Sequence, residues 1–306
     1  MPVPPDIDAL RALPLSELMR RALAVKLAQR GTAFSFCSII NAKSGKCGED
    51  CRFCVQSAHY RTEAPVYPLK ERGEVLAAAA EAKENGATRF SLVTSGRGLA
   101  GRELELVKES VAAIRSEVGI SVCASLGILP EAELRALKEA GLSRYHHNLE
   151  TSAEYFPRVC TTHSFQERLD TIHACRAVGL SVCSGGIFGL GENEADRISM
   201  ALSLRECGVD SVPLNILIPL PGTPFASLKP LGMEEILRAI ALYRLLLPAV
   251  PIRLAAGRET ALADFLSSAF LAGADAMMIG GYLTQGGRAP EADRAFAREM
   301  QRLWTS

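Results

Sequence analysis

The stretch Phe34-Ser35-Phe36-Cys37-Ser38-Ile39-Ile40 runs, a few residues later, into Cys47-Gly48-Glu49-Asp50-Cys51-Arg52-Phe53-Cys54. The first segment is aromatic and β-branched, the composition of a strand. The second sets three thiols at a C-x3-C-x2-C spacing. Three thiolates so close in sequence wrap one corner of a small inorganic core but leave it open, because no fourth ligand lies within the tight cluster. A zinc site is the serious rival, since His59 would complete a Cys3His set.

Outward from this stretch, strand and helix patterns alternate. Strands are expected near 89–94, 120–125, 144–149, 181–186, 211–217, 252–255 and 276–279, with helical patterns at 70–85, 101–118, 130–140, 164–178, 194–207, 233–246 and 259–272. Gly86, Gly141, Gly179, Gly208 and Gly273 stand where a left-handed cap stops a helix. With 34–40 the strands number eight, the count of a (β/α)8 TIM-type barrel. Residues 7–30 read as one or two amphipathic helices parted by Pro14. The expected fold is therefore α/β, a single barrel domain over 1–306 with N-terminal helices at 1–32, the barrel at 33–285 and a C-terminal helix at 286–306. Active sites of such barrels lie at the C-terminal ends of the strands, and the cysteine loop follows the first strand.

The 306 residues, 48% of them hydrophobic, suffice for one large core. Zero formal charge gives no argument for nucleic acid or an anionic membrane. No apolar run approaches a membrane span, and the start MPVPPDIDAL has neither region of a signal peptide. A cytoplasmic protein with reduced thiols is expected, so an odd count of nine cysteines reads as metal-binding or catalytic.

Several strand ends carry polar groups. Gly185 and Gly186 permit close backbone approach to a ligand, or simply pack a turn. Strand alternation puts Asn148 and Glu150 on one face, suited to a ribose or an amino-acid group, unless they form a solvated strand end. Ser164 and Glu167 have capping-box spacing, which sets Arg168 in the first helical turn, within reach of a carboxylate. Asn215, in an apolar strand, must be satisfied by a ligand or by neighbouring backbone. Arg253 alternates with small apolar residues, and inside a barrel it needs an anionic partner.

The cysteine loop resembles that of the radical S-adenosylmethionine (SAM) superfamily, with Phe53 at its usual aromatic position. The set CGEDCRFC with QSAHY, YHHNLETS, TTHSFQERLDTI, VCSGGIFGLGE, VPLNILIPLPGTP and IRLAAGRE resembles, in order and over nearly the whole chain, the biotin synthase family. The resemblance implies a homodimeric radical SAM barrel that inserts sulfur into dethiobiotin, fed electrons by a protein such as flavodoxin or ferredoxin. It implies that Cys47, Cys51 and Cys54 bind a 4Fe-4S cluster whose open iron takes SAM. Asn148 and Glu150 match ribose-binding positions, Arg168 a residue near the SAM carboxylate, and Ile187 one near the adenine. Asn215 matches the residue that holds the ureido ring, and His146 stands where an asparagine near the substrate is common. A related enzyme of cofactor maturation or amino-acid rearrangement is the enzymatic alternative; a zinc-stabilised binding scaffold is the other.

The resemblance also implies an auxiliary sulfur-donating cluster, usually 2Fe-2S, on three cysteines and an arginine. Cys123, Cys183 and Arg253 match, but the second-strand position is Ser91, a poor iron ligand. Cys37 lies on the first strand instead. The expectation is a ligand moved one strand over, with a cluster of 2Fe-2S or larger. Cys160, Cys175 and Cys207 are expected to be dispensable.

Overall fold

The computed structural model describes residues 6–305. Residues 1–5 and 306, the extremes of the N- and C-terminal segments expected above, lie outside the described residues. The strands are β1 (Ser35–Lys43), β2 (Arg89–Thr94), β3 (Ser121–Ser125), β4 (Arg144–His146), β5 (Ser181–Cys183), β6 (Gly186–Phe188), β7 (Val212–Ile216), β8 (Ile252–Leu254) and β9 (Ala276–Met278). All pair in parallel, in the order β5-β4-β3-β2-β1-β9-β8-β7-β6. The two end segments of that order, β5 and β6, are consecutive in the chain. They are one barrel strand broken at Ser184-Gly185: its first half pairs with β4 and its second with β7. Single bridges Cys183↔Ser211 and Glu150↔Gly186 carry the pairing across the break. The eight-stranded (β/α)8 reading therefore holds, with a fifth strand that switches partners midway.

Helices fall where the periodicity places them, with two departures. The 101–118 pattern is an α-helix to Ala113 followed by a single π-turn, Ile114–Val118. The 259–272 pattern breaks into Arg258–Leu262, a 3-10 turn and Leu266–Leu271. The capping box at Ser164/Glu167 forms, with Glu167 N donating to Ser164 Oγ at 3.2 Å. Helix-stopping glycines adopt positive φ, 110° at Gly141 and 113° at Gly273.

One apolar core lies between the sheet and the surrounding helices. Leu15–Arg30 packs on Met233–Leu246, and Pro14 is its N-cap. Beneath them Asp275 accepts hydrogen bonds from Arg30 Nε (2.7 Å) and Ile252 N (2.8 Å), and fully buried Arg244 lies 3.4 Å away. No helix among the described residues is long and apolar enough to cross a membrane.

Candidate active site at the mouth of the barrel

The loop after β1 is shaped by its own backbone. Cys47 N donates to Gln56 O (3.1 Å), Ala58 N to Cys47 O (2.7 Å) and Cys54 N to Cys51 O (2.9 Å). Phe53 anchors it against an apolar cluster of Val159, Leu190, Leu217 and Phe225. The thiols of Cys47, Cys51 and Cys54 are free and half-buried. Among the described residues, the one trio of metal-ligating atoms all within 4.8 Å of one another is Cys51, Cys160 and His163. Cys47, Cys51, Cys54 and His59 therefore do not converge on a single ion, as zinc with Zn–S bonds of about 2.3 Å requires. His59 Nε2 lies instead 3.0 Å from Gly48 O. The wider spread suits a multi-iron core held at three corners.

The 160–163 loop clasps this one from outside. Asp50 accepts hydrogen bonds from Thr161 N (2.8 Å), Thr162 N (3.2 Å) and Cys160 Sγ (3.2 Å). Against the effect of burial, these and the Thr161 hydroxyl hold the Asp50 carboxyl well below its ordinary range. Glu49 accepts from Thr162 Oγ1 (2.8 Å) and pairs with His163 Nδ1. Cys51 Sγ donates to Cys160 Sγ at 3.7 Å. That bond, then those with His163 and Thr162, draw the Cys160 thiol down to about 4 against burial. Cys160, expected to be dispensable, thus abuts Cys51, while Cys175 and Cys207 lie in the apolar core. The sequence reading missed Glu49, Asp50, Cys160 and His163 as a unit. The signal for it was a carboxylate pair inside CGEDC and a thiol directly before TTH.

Between this loop and the barrel axis lies a cavity of about 290 Å³. Its wall takes Cys47 and Cys51 from the loop, and Asn148, Glu150, Arg168 and Asn215 from the strand ends and helix start. Asn148 and Glu150 do meet, Nδ2 to Oε2 at 3.3 Å, but not by alternation. β4 ends at His146, and Glu150 turns into the left-handed region at φ 69°, an uncommon state for a residue with a side chain. Burial raises the Glu150 carboxyl, opposed by Arg168 and Asn148. Arg168 donates to Asn148 O (2.8 Å) and His163 Nε2 (3.0 Å) and lies 3.8 Å from Glu150. Asn215 donates to Gly186 O and accepts from Ala256 N, both at 3.2 Å, so neighbouring backbone satisfies most of its amide. Ile187 is not in the cavity wall; it packs with Phe53 in the small apolar cluster beside it.

Deeper in the barrel are Cys37, Cys123 and Cys183, all buried and unpaired, with Arg253. Arg253 Nη1 donates to Ser211 Oγ (3.0 Å) and lies 4.0 Å from Cys183 Sγ. Burial raises the Cys37 thiol, opposed chiefly by Arg253. Ser91 pairs in the ladder with Ile39 and Cys123, whereas Cys37 pairs with Arg89. The thiol on the first strand is therefore also one inward-facing level nearer the N-terminal end than Ser91.

The family model of the Radical SAM superfamily matches residues 42–204, and that of the Biotin and Thiamin Synthesis associated domain matches residues 213–301. Biotin synthase of Pelotomaculum thermopropionicum is 50% identical over 287 residues, spanning 94% of this chain and 89% of that protein. Biotin synthase of Heliobacterium modesticaldum is 53% identical over 264 residues, 86% and 81% of the two chains. The chain belongs to the biotin synthase family. Among solved structures, methylornithine synthase (PylB) superposes with a TM-score of 0.83 at 20% identity, covering 96% of this chain and 91% of that one. HydG, a maturase of the [FeFe]-hydrogenase, gives 0.82 at 15% identity, with 95% and 69% covered. At such identities the likeness is one of fold. Biotin synthases of this family use a 4Fe-4S cluster, SAM and an auxiliary iron-sulfur cluster. The donors here fit that set: three half-buried thiols spread too widely for one ion, and three buried thiols with no disulfide beside an Arg253 Nε that lacks a partner.

Proposed function

We infer that this chain inserts sulfur into dethiobiotin to form biotin. The observation that carries the reading is a single cavity walled both by two thiols of the C-x3-C-x2-C loop and by the amide and carboxylate groups of Asn148, Glu150 and Asn215. Dethiobiotin's target carbons carry no acidic proton, so general acid–base chemistry cannot open them. When bound, the 4Fe-4S cluster and SAM supply a 5′-deoxyadenosyl radical for hydrogen abstraction, and the auxiliary cluster supplies sulfur.

The chain's own residues bind, orient and exclude water. Cys47, Cys51 and Cys54 hold the first cluster. Asn148 and Glu150 take the ribose of SAM, and Arg168, fixed by His163 and the Asn148 carbonyl, faces its carboxylate. Ile187 packs toward the adenine together with Phe53. Asn215 keeps one amide hydrogen for the ureido ring, with His146 on the same wall. Cys37, Cys123, Cys183 and Arg253 surround the auxiliary cluster, and their mutual electrostatic reach supports that grouping. A homodimer, a cytoplasmic location and a flavodoxin- or ferredoxin-type reductant complete the proposal.

Anaerobically reconstituted protein is expected to turn dethiobiotin into biotin with SAM and a reductant. SAM cleavage without biotin, with both clusters intact, moves the reading to a cofactor-maturing or amino-acid-rearranging relative. Cys47→Ala, Cys51→Ala and Cys54→Ala are each expected to abolish 5′-deoxyadenosine production; its persistence in any of them removes the first-cluster assignment. Loss of auxiliary iron in Cys37→Ala, but not in Cys175→Ala, is the matching result for the moved ligand.

A further inference from the structure

We propose that Cys51 and Cys160 join in a reversible disulfide when the first cluster is absent, so that Cys160 is a redox guard for a cluster ligand. The inference rests on the reading of Cys51 as a ligand of that cluster and goes beyond it. Both thiols are free, and their sulfurs lie 3.7 Å apart. The two chain segments that carry them are held in register. Ahead of Cys51, Asp50 N donates to Thr162 Oγ1 (3.1 Å), and the Asp50 carboxylate accepts from Thr161 N and Thr162 N. Behind it, Arg52 N donates to Val159 O at 2.9 Å. The neighbours of Cys51 are thus bonded to residues on either side of Cys160, in the opposite order. Cys51 and Cys160 are the pair left facing each other, like opposed residues of antiparallel strands, whose Cα atoms lie about 4.5–5.5 Å apart. A disulfide spans Cα separations of about 4.4–6.8 Å. Rotation of the two side chains then brings the sulfurs to bonding distance.

The two thiols differ in access. Cys51 is half-buried in the cavity wall, whereas Cys160 is 2% exposed. Hydrogen peroxide entering the cavity meets Cys51 first. The Cys51 sulfur attacks one peroxide oxygen: an S–O bond forms, the O–O bond breaks, and the leaving hydroxide departs as water with the thiol proton. The Cys160 sulfur then attacks the sulfenic sulfur of Cys51. The S–S bond forms, the S–O bond breaks, and the second hydroxide departs as water with the Cys160 proton. Two thiols and one hydrogen peroxide give one disulfide and two waters. A sulfenic acid condenses reversibly with a neighbouring thiol, whereas further oxidation to sulfinic acid is irreversible. The disulfide therefore stops Cys51 at a recoverable step, and two equivalents of a small thiol restore both side chains. Iron on Cys51 uses the same sulfur, so a loaded first cluster and the disulfide exclude each other.

The test uses the full chain, cluster-free or anaerobically loaded, treated with one equivalent of hydrogen peroxide, alkylated, digested and read by mass spectrometry. The cluster-free chain is expected to yield the Cys51 and Cys160 peptides joined, lighter by two hydrogens than the separate thiols. The loaded chain is expected to yield no such join. A join of Cys51 to Cys47 or Cys54, with Cys160 alkylated as a free thiol, overturns the proposal. An equal yield of the Cys51–Cys160 join from loaded chain that keeps all its iron overturns it together with the cluster role of Cys51. Iron uptake supplies a second measurement. After peroxide and then dithiothreitol, the wild-type chain should regain its first-cluster iron, whereas Cys160→Ser, carrying sulfinic acid at Cys51, should lose most of that capacity. Full recovery in Cys160→Ser would show that Cys51 needs no guard.

Discussion

At the scale of single residues, the cysteine loop depends on side chains that are not cysteines. Asp50 gathers Thr161, Thr162 and Cys160 around one carboxylate and so fastens the loop to the 160–163 segment. Asp50→Ala is expected to cost about 2 kcal/mol in denaturant unfolding, the scale of charge-assisted hydrogen bonds lost at a half-exposed site. Its folded pKa lies below the unfolded value near 3.9, so the contribution is present above that value and lost as pH falls through the folded one. The stability gap between wild type and Asp50→Asn should stay flat from about pH 5 to 8 and close only in stronger acid. A gap that closes near neutrality would show that another group carries the effect. The carboxylates were visible in the sequence; their partners, more than a hundred residues away, were not.

At the scale of elements, the broken fifth strand sets the site. A Cβ on Gly185 would lie 1.9 Å from Pro213 O, so no larger residue lets the break between β5 and β6 approach β7 as it does. Gly185→Ala should weaken SAM binding in equilibrium dialysis roughly tenfold, the reach of about 1–3 kcal/mol of overpacking strain. Gly73→Ala, whose Cβ meets nothing within 4 Å, should leave it unchanged. Equal affinity in the two variants would sever the link between this strand and the cofactor. The N-terminal helix offers a different test. Fully buried Lys26 donates to Gly31 O at 2.7 Å, with Nζ 2.8 Å from the Trp304 ring centre. Burial lowers its pKa from 10.5 to about 8. Between those values the folded state sheds the proton first, so stability should rise with pH across that window relative to Lys26→Met. Parallel stability curves for the two proteins would refute this.

At the scale of the whole molecule, the barrel is closed from below by charge and from above by loops. Asp275 ties Arg30 of the N-terminal helix to β8 through Ile252 N, with Arg244 beside it, and both Asp275 and Arg244 are buried. Asp275→Ala leaves the Arg244 cation uncompensated and should cost about 3–5 kcal/mol, read as a lowered denaturant midpoint. A change under about 1 kcal/mol would mean that the carbonyls around Arg244 suffice.

The sequence by itself determined the alternation of strands and helices, the glycine stops, the capping box at Ser164 and the position of the cysteine loop after the first strand. These are local periodicities and local backbone preferences, legible without knowing what packs on what. Tertiary structure alone decided the rest. Closing the sheet split one strand between two neighbours, Ser91 came beside His146, and Cys37 was paired with Arg89. A left-handed Glu150 brought its carboxylate to Asn148 where alternation had already ended. Cys160 met Cys51 across 109 residues of chain. The physical reason is common to all of these: strand register and barrel closure are properties of every strand at once, and no single stretch of sequence contains them.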